Sequence, residues 1–311
     1  MFSMQIQLGW IKWLVLPAAL LMTTTVWADK VRYKPFILAK TAQSDLATAV
    51  QEAKKNLQAG QFQVVGEVTP YDNTHILIVT HPELLTQAAK SEFGAFGAAQ
   101  RVTLTRVDNQ VQVSFTNPTY LAHAYRMQSD LSTISAGLKQ ALGYVREYGH
   151  DKGLTGEDLR DYQYKWLMPY FDDRLELARY KSQQEAISRV TKVMTKSGNT
   201  VNKVYQIDLP GKDETVIGVQ LKGKNNDDCS SDHYIMSRID FDKTKSSAHL
   251  PYEVVIKNGK VYTLPAEFRI AISFPGLSMM GSNSFASIMC APDSIKSTLT
   301  KAVGGTQEEE F

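Results

Sequence analysis

The side chains able to bind a metal or move a proton near neutral pH are scattered along this chain. Its six histidines, His75, His81, His123, His150, His233 and His249, occur singly. None falls in an HxH or HExxH spacing, the spacings that bring two imidazoles to one ion. One pairing has helical spacing: in His123-Ala-Tyr-Arg-Met127 an imidazole and a thioether lie four residues apart, on one face of a helix. With Met279, Met280, Met289 and Cys290 further on, these residues define a candidate soft-metal site for Cu(I), with His123, Met127, Met279 and Met280 as ligands. The competing reading is packing, because flexible thioethers fill irregular cores. An aromatic run, Tyr162, Tyr164, Trp166, Tyr170 and Phe171, is the candidate ligand-binding platform. The same rings could instead dock helices onto sheets, since aromatics dominate core energetics.

Catalytic patterns are missing. Gly276-Leu-Ser278-Met-Met-Gly281 misses the GxSxG nucleophile elbow by one position, and Gly94-Ala-Phe-Gly97 lacks the spacing and lysine of a phosphate loop. The dense acidic groups are Asp172-Asp173 with Glu176, and Asp227-Asp228. The first is expected to cap a helical turn and the second to be solvated. No residue is assigned a catalytic role, no cofactor is expected, and an enzyme is the less favoured reading.

The elements that must position these residues follow from periodicity and punctuation. Residues 31–40 read as a strand carrying Pro35 near a sheet edge, and residues 44–59 as a helix with Ser44 as its cap and Gly60 as its stop. Strands follow at 61–69 and 74–80, then a helix opened by Pro82. RVTLTRV and QVQVSFT form a hairpin about Asp108-Asn109, each strand alternating apolar and polar residues. The order β-α-β-β-α-β-β is close to a ferredoxin-like split. From 129 the period becomes helical: Leu131, Ile134, Leu138, Leu142 and Val145 form a stripe closed by Gly149, and Thr155 and Ser182 head two capping-box-like starts. From 201 strands return, with hairpins about residues 210–214 and Asn258-Gly259, a further strand at 268–274, and a closing helix opened by Pro292. Two stretches, RVTLTRVDNQVQVSFTNPTYLAHAYRM and YEVVIKNGKVYTLPAEFRIAISF, share a hairpin–proline–aromatic plan that suggests a diverged duplication.

The expected fold class is therefore α+β: two antiparallel-sheet lobes joined by a helical middle. The divisions are 1–28, a cleaved signal peptide; 29–128, the first lobe; 129–200, the helical connection; 201–303, the second β-rich lobe; and 304–311, an acidic tail. The apolar core of residues 13–22 is shorter than the about 20 residues a membrane span needs, and Val26 and Ala28 fit cleavage after Ala28. A periplasmic or secreted protein without a membrane anchor is expected. In that oxidising setting Cys229 and Cys290, the two cysteines, are expected to pair. The formal net charge of +2 comes from interspersed charges of both signs, which argues against nucleic acid as a partner.

The helix 44–59, Gly60 with Phe62-Gln-Val64, the His81-Pro82-Glu-Leu segment, and the RVTL hairpin ending in Asn117-Pro118 together resemble the domain of unknown function 302 family. The remainder is similar to long exported relatives of that family. The resemblance implies a bacterial α+β fold and no particular reaction. The functional expectation is an exported binding or accessory protein for a small apolar or aromatic molecule or a protein partner. Copper handling is the alternative, and a hydrolase without a recognisable motif the third.

Overall fold

A computed structural model describes residues 1–2, 30–196 and 200–306. Most of the signal segment, residues 197–199 and the end of the acidic tail lie outside the described residues. The architecture is mixed α+β with antiparallel sheets. A two-residue ladder, β1 (Arg32–Tyr33) with β8 (Leu154–Thr155), accompanies a six-stranded and a five-stranded sheet.

The six-stranded sheet contains β2 (Phe36–Ala42), β3 (Gln63–Val68), β4 (Thr74–Thr80), β5 (Gln100–Val107), β6 (Gln110–Thr116) and β7 (Arg146–Tyr148), in the order β3-β4-β5-β6-β2-β7. A four-strand meander is thus closed by the first strand, which pairs with β6. A ferredoxin-like arrangement would interleave the strands, and that expectation is not confirmed. The helix α1 (Leu46–Ala59) carries the chain across the sheet from β2 to β3. It buries Ala49, Val50, Ala53 and Leu57, and its cap is Asp45, whose carboxylate accepts from Thr48 N, rather than Ser44. Next come α2 (Pro82–Ala89), a 3-10 turn at Gly94–Gly97, α3 (Pro118–Ala124), α4 (Ser132–Leu142) and the short α5 (Gly156–Arg160). Gly143 at φ 103 ends α4, ahead of the stop expected at Gly149, which leaves Val145 exposed.

The second sheet contains β9 (Leu175–Arg179), β10 (Val201–Asp208), β11 (Glu214–Leu221), β12 (Tyr252–Lys257) and β13 (Lys260–Thr263), in the order β10-β11-β12-β13-β9. With it run α6 (Gln183–Lys196), α7 (Asp232–Ile239), a 3-10 turn at Ser247–His249, α8 (Ala266–Ser273) and α9 (Ala291–Ala302). The strand expected over 268–274 is α8. Nearly every residue of that helix is buried, Arg269 and Ser273 included, so no polar face marks its helical period. The expected helical middle also contributes a strand to each sheet, β7 and β9.

One plan occurs twice. β2-α1-β3-β4-α2-(3-10)-β5-β6-α3-α4 is matched in order by β9-α6-β10-β11-α7-(3-10)-β12-β13-α8-α9, except that a 3-10 turn at Phe285–Ile288 intervenes before α9, and five strands of each sheet take the same order. Each half's first strand carries a bulge, at Ala39 and at Leu177, opposite the second strand of its hairpin. The corresponding edge strands β3 and β10 meet closely: a side chain on Gly66 would collide with the Val204 carbonyl and the Tyr205 side chain. One apolar core runs through both halves.

At its centre a guanidinium from one half meets a carboxylate from the other. Arg101 on β5 and Glu253 on β12 are both about 1% exposed and paired, and Tyr205 OH donates to Glu253 Oε1 at 2.7 Å. Arg269 adds donors to the backbone oxygens of His249 (2.7 Å) and Pro251 (3.2 Å). Burial alone would lower the Arg101 guanidinium, but the Glu253 carboxylate beside it raises it further, so Arg101 stays charged.

Candidate functional site in the seam between the two halves

The repeated plan creates two equivalent seams, and only one is closed. In the closed seam, the β10–β11 turn (209–213) meets the end of α2. Lys212 Nζ donates to Ser91 O at 2.7 Å, Ala95 N donates to the buried Glu214 Oε1 at 2.9 Å, and Lys257 lies 4.2 Å over the Phe93 ring. The corresponding β3–β4 turn (69–73) faces α7 across a cleft of about 590 Å³, within the usual range for small-molecule sites. The difference lies in the linkers. Four residues (90–93) join α2 to its 3-10 turn, whereas residues 240–246 form a longer strap after α7.

Sequence spacing explains what α7 presents. His233, Met236, Ser237 and Asp240 lie at i, i+3, i+4 and i+7 and all line the cleft, while Ile235 and Ile239 pack into the core. The helix is anchored by Asp232 at its first turn: the Oδ2 atom accepts from Leu221 N at 3.1 Å, and Oδ1 is buried without a partner. Burial drives the Asp232 pKa well above the usual carboxylate range, because desolvation disfavours the charged form. The loop leading into α7 is built on Asp228. That carboxylate accepts from the backbone nitrogens of Ser230 (2.9 Å) and Lys224 (3.0 Å), which hold its pKa down. Asp228 is therefore an organising residue, against the expectation that Asp227-Asp228 is merely solvated; Asp227 is exposed. Cys229 and Cys290 form the expected disulfide, tying this loop to the start of α9.

Across the cleft stand Tyr71, Thr74 and Thr105. Tyr71 OH donates to Ser247 Oγ at 2.9 Å, and its ring meets the His233 ring edge-on at 6.5 Å. Asp240 Oδ1 accepts from Ser246 N at 2.9 Å, and its backbone carbonyl accepts from Lys245 Nζ, also at 2.9 Å. Burial raises the Asp240 pKa to about 7, only partly opposed by these contacts. The His233 Nδ1 atom is buried without a partner. The cleft thus offers a carboxyl group that titrates near neutrality, an imidazole with an unused nitrogen, and a wall of hydroxyls. Ser247, the hydroxyl at the centre, is fully buried and hydrogen-bonded to Tyr71 and Thr105. The arrangement suits recognition through hydrogen bonds.

The residues singled out in the sequence lie elsewhere. Tyr162 OH donates to Ala271 O at 3.1 Å; Tyr164 OH donates to Leu277 O, with its ring 4.8 Å from Phe285. Phe171 stacks on Tyr125 at 5.5 Å. Trp166 is 84% exposed, and Tyr170 edges a shallow cavity of about 480 Å³ with Pro265 and Pro292. The run is therefore divided between docking and surface positions. The His123 ring stacks on Tyr33 at 5.4 Å, whereas the Met127 thioether packs against Gly97. Met279 and Met280 are exposed on a loop closed by Ser284 Oγ donating to Gly281 O at 2.7 Å. Asp172 pairs with Arg126 at 2.7 Å, and Asp173 accepts from Tyr170 N ahead of a strand, not a helical turn. Among the described residues no cluster of three or more His, Cys, Asp or Glu side chains could hold a metal ion, and no helix is long and apolar enough to cross a membrane.

Sequence reasoning missed the cleft because His233 stands alone among histidines and Asp240 belongs to no motif. The available signal was the helical spacing of four chemistry-bearing residues beside a Pro-Tyr-Asp-Asn turn. Comparison with family models, curated proteins and solved structures returned no match to this chain.

Proposed function

We propose that this is an exported binding protein that holds a small polar molecule in the open seam between its two halves. The observation carrying this reading is the asymmetry of the seams: one plan, used twice, is sealed by Lys212, Glu214 and Lys257 on one side and left open around Tyr71, His233 and Asp240 on the other. The ligand class differs from the apolar one suggested by the aromatic run, because the cleft wall is made of hydroxyl, imidazole and carboxyl groups. Export rests on the apolar N-terminal segment ending at Ala28 and on the disulfide, which persists in an oxidising compartment. Native mass spectrometry of the protein isolated from its own source tests the reading. A bound mass released on denaturation is expected, absent from the Ser237→Trp variant, whose indole fills the cleft from its rim. A wild-type protein that carries no ligand and gains none from an extract of its own compartment would refute it.

A further inference from the structure

The strap over residues 240–246 has a partner in the other half. β7 is a strand that the second sheet lacks, and the strap is longer than the linker that corresponds to it in the first half. Strap and strand touch. Tyr148 OH donates to Lys245 O at 2.7 Å and Arg146 Nη2 to Thr244 Oγ1 at 2.7 Å. Gln112 on β6, one strand further in across β2, accepts from Lys245 N at 3.0 Å and donates to Lys243 O at 2.8 Å. The strap therefore separates two spaces. On the far side from the cleft lies a second cavity of about 600 Å³, and no lining residue is common to the two.

The floor and rim of this cavity differ in chemistry. The buried side chains Ile239, Tyr148, Phe274 and Leu277 form the floor, and Phe241 on the strap is 53% exposed at the edge. Lys34, Arg146 and Lys243 supply three cations at the lining, against the carboxylates of Asp151 and Asp242. His150 also lines it, with Nδ1 buried and without a partner. Opposite that ring stands Gly276, where an added Cβ would meet nothing nearer than His150 Cδ2 at 3.8 Å. A bulky side chain at this position would occupy the space beside the imidazole.

We infer that this cavity is a second binding site, for a small organic anion with a flat apolar body. The body lies on the Tyr148–Phe274 floor under Phe241, and the anionic group is met by the Arg146 and Lys34 side chains. The inference stands independently of the polar cleft, since the two sites share no side chain.

Benzoate, benzyl alcohol and benzylamine share one ring and differ in charge, and they serve as probes of the full-length protein by amide-resonance titration. Benzoate should saturate and shift residues 146–151 and 241–246. Benzyl alcohol should bind at least about tenfold more weakly, the expected loss of a charge-assisted hydrogen bond. Benzylamine should bind weakest of the three. Gly276→Leu should abolish benzoate binding, and Arg146→Gln, which keeps a side chain able to reach Thr244, should weaken it by about the same factor as removing the charge from the probe. Equal binding of acid and alcohol, shifts confined to residues outside the cavity lining, or no saturation at tens of millimolar would each overturn the proposal, as would unaltered binding by a folded Arg146→Gln variant.

Discussion

At the scale of single residues, Asp240 is the side chain whose environment departs furthest from what its place in the sequence suggests. It follows the last turn of α7 and would ordinarily be a solvated carboxylate, yet burial raises its pKa from 3.8 to about 7. A carboxyl group that binds its proton more tightly when folded costs stability as pH rises. The penalty is absent below about pH 4, grows between pH 4 and 7 and is complete above 7. The shift corresponds to at most about 4 kcal/mol, less to the extent that water reaches the free oxygen. Asp232 contributes with the same sign, while the fully buried His249, held well below its usual pKa by burial and then by Arg269, opposes both below about pH 6.5. The Asp240→Asn variant separates these effects. Its unfolding free energy relative to wild type, from urea melts, should rise from pH 5 to 8. A difference that does not vary with pH would show that Asp240 is an ordinary surface acid.

Among elements, those with strong punctuation were legible in the sequence. The Asn258-Gly259 hairpin, with both residues at positive φ, the Thr155–Asp158 capping box and the Pro292 start of α9 all occur as local chemistry requires. The elements that were not legible are those whose surroundings erase the pattern. α8 is buried on every side, and β11 is buried along its whole length, so neither alternates. Two element-scale predictions concern packing at Gly218 and the cross-link at Cys229–Cys290. Gly218 on β11 lies against the Tyr205 ring, which a Cβ would strike at 2.0 Å, and Gly218→Ala should cost about 1–3 kcal/mol and disturb the hydroxyl that supports Glu253. Thermal unfolding that leaves Gly218→Ala level with wild type would mean the ring moves freely. The disulfide closes a loop with a sequence separation of 61, for which chain entropy predicts about 4 kcal/mol. Replacing both cysteines by serine should lower the unfolding free energy by about that much in urea melts, and no change would place its role outside stability.

The whole molecule is a repeated plan in which the halves share one core, and this too was only half visible beforehand. The hairpin–proline similarity hinted at duplication, but strand order, the paired bulges and the seams belong to tertiary structure, which no local pattern encodes. The Arg101–Glu253 pair lies where corresponding strands of the two halves face one another. Removing one partner of a buried pair leaves an uncompensated charge and costs about 3–5 kcal/mol. Glu253→Gln should therefore lower a single calorimetric transition rather than split it. Two transitions, one unmoved, would mean that the halves are separate folding units.

Whether the open seam holds a ligand is tested most directly by a crystal structure of the protein as isolated from its own compartment. Density for a small molecule is expected between Tyr71 and α7, within hydrogen-bond distance of His233 and Asp240. A cleft holding only solvent, in crystals of protein that carries a ligand by mass, would contradict it.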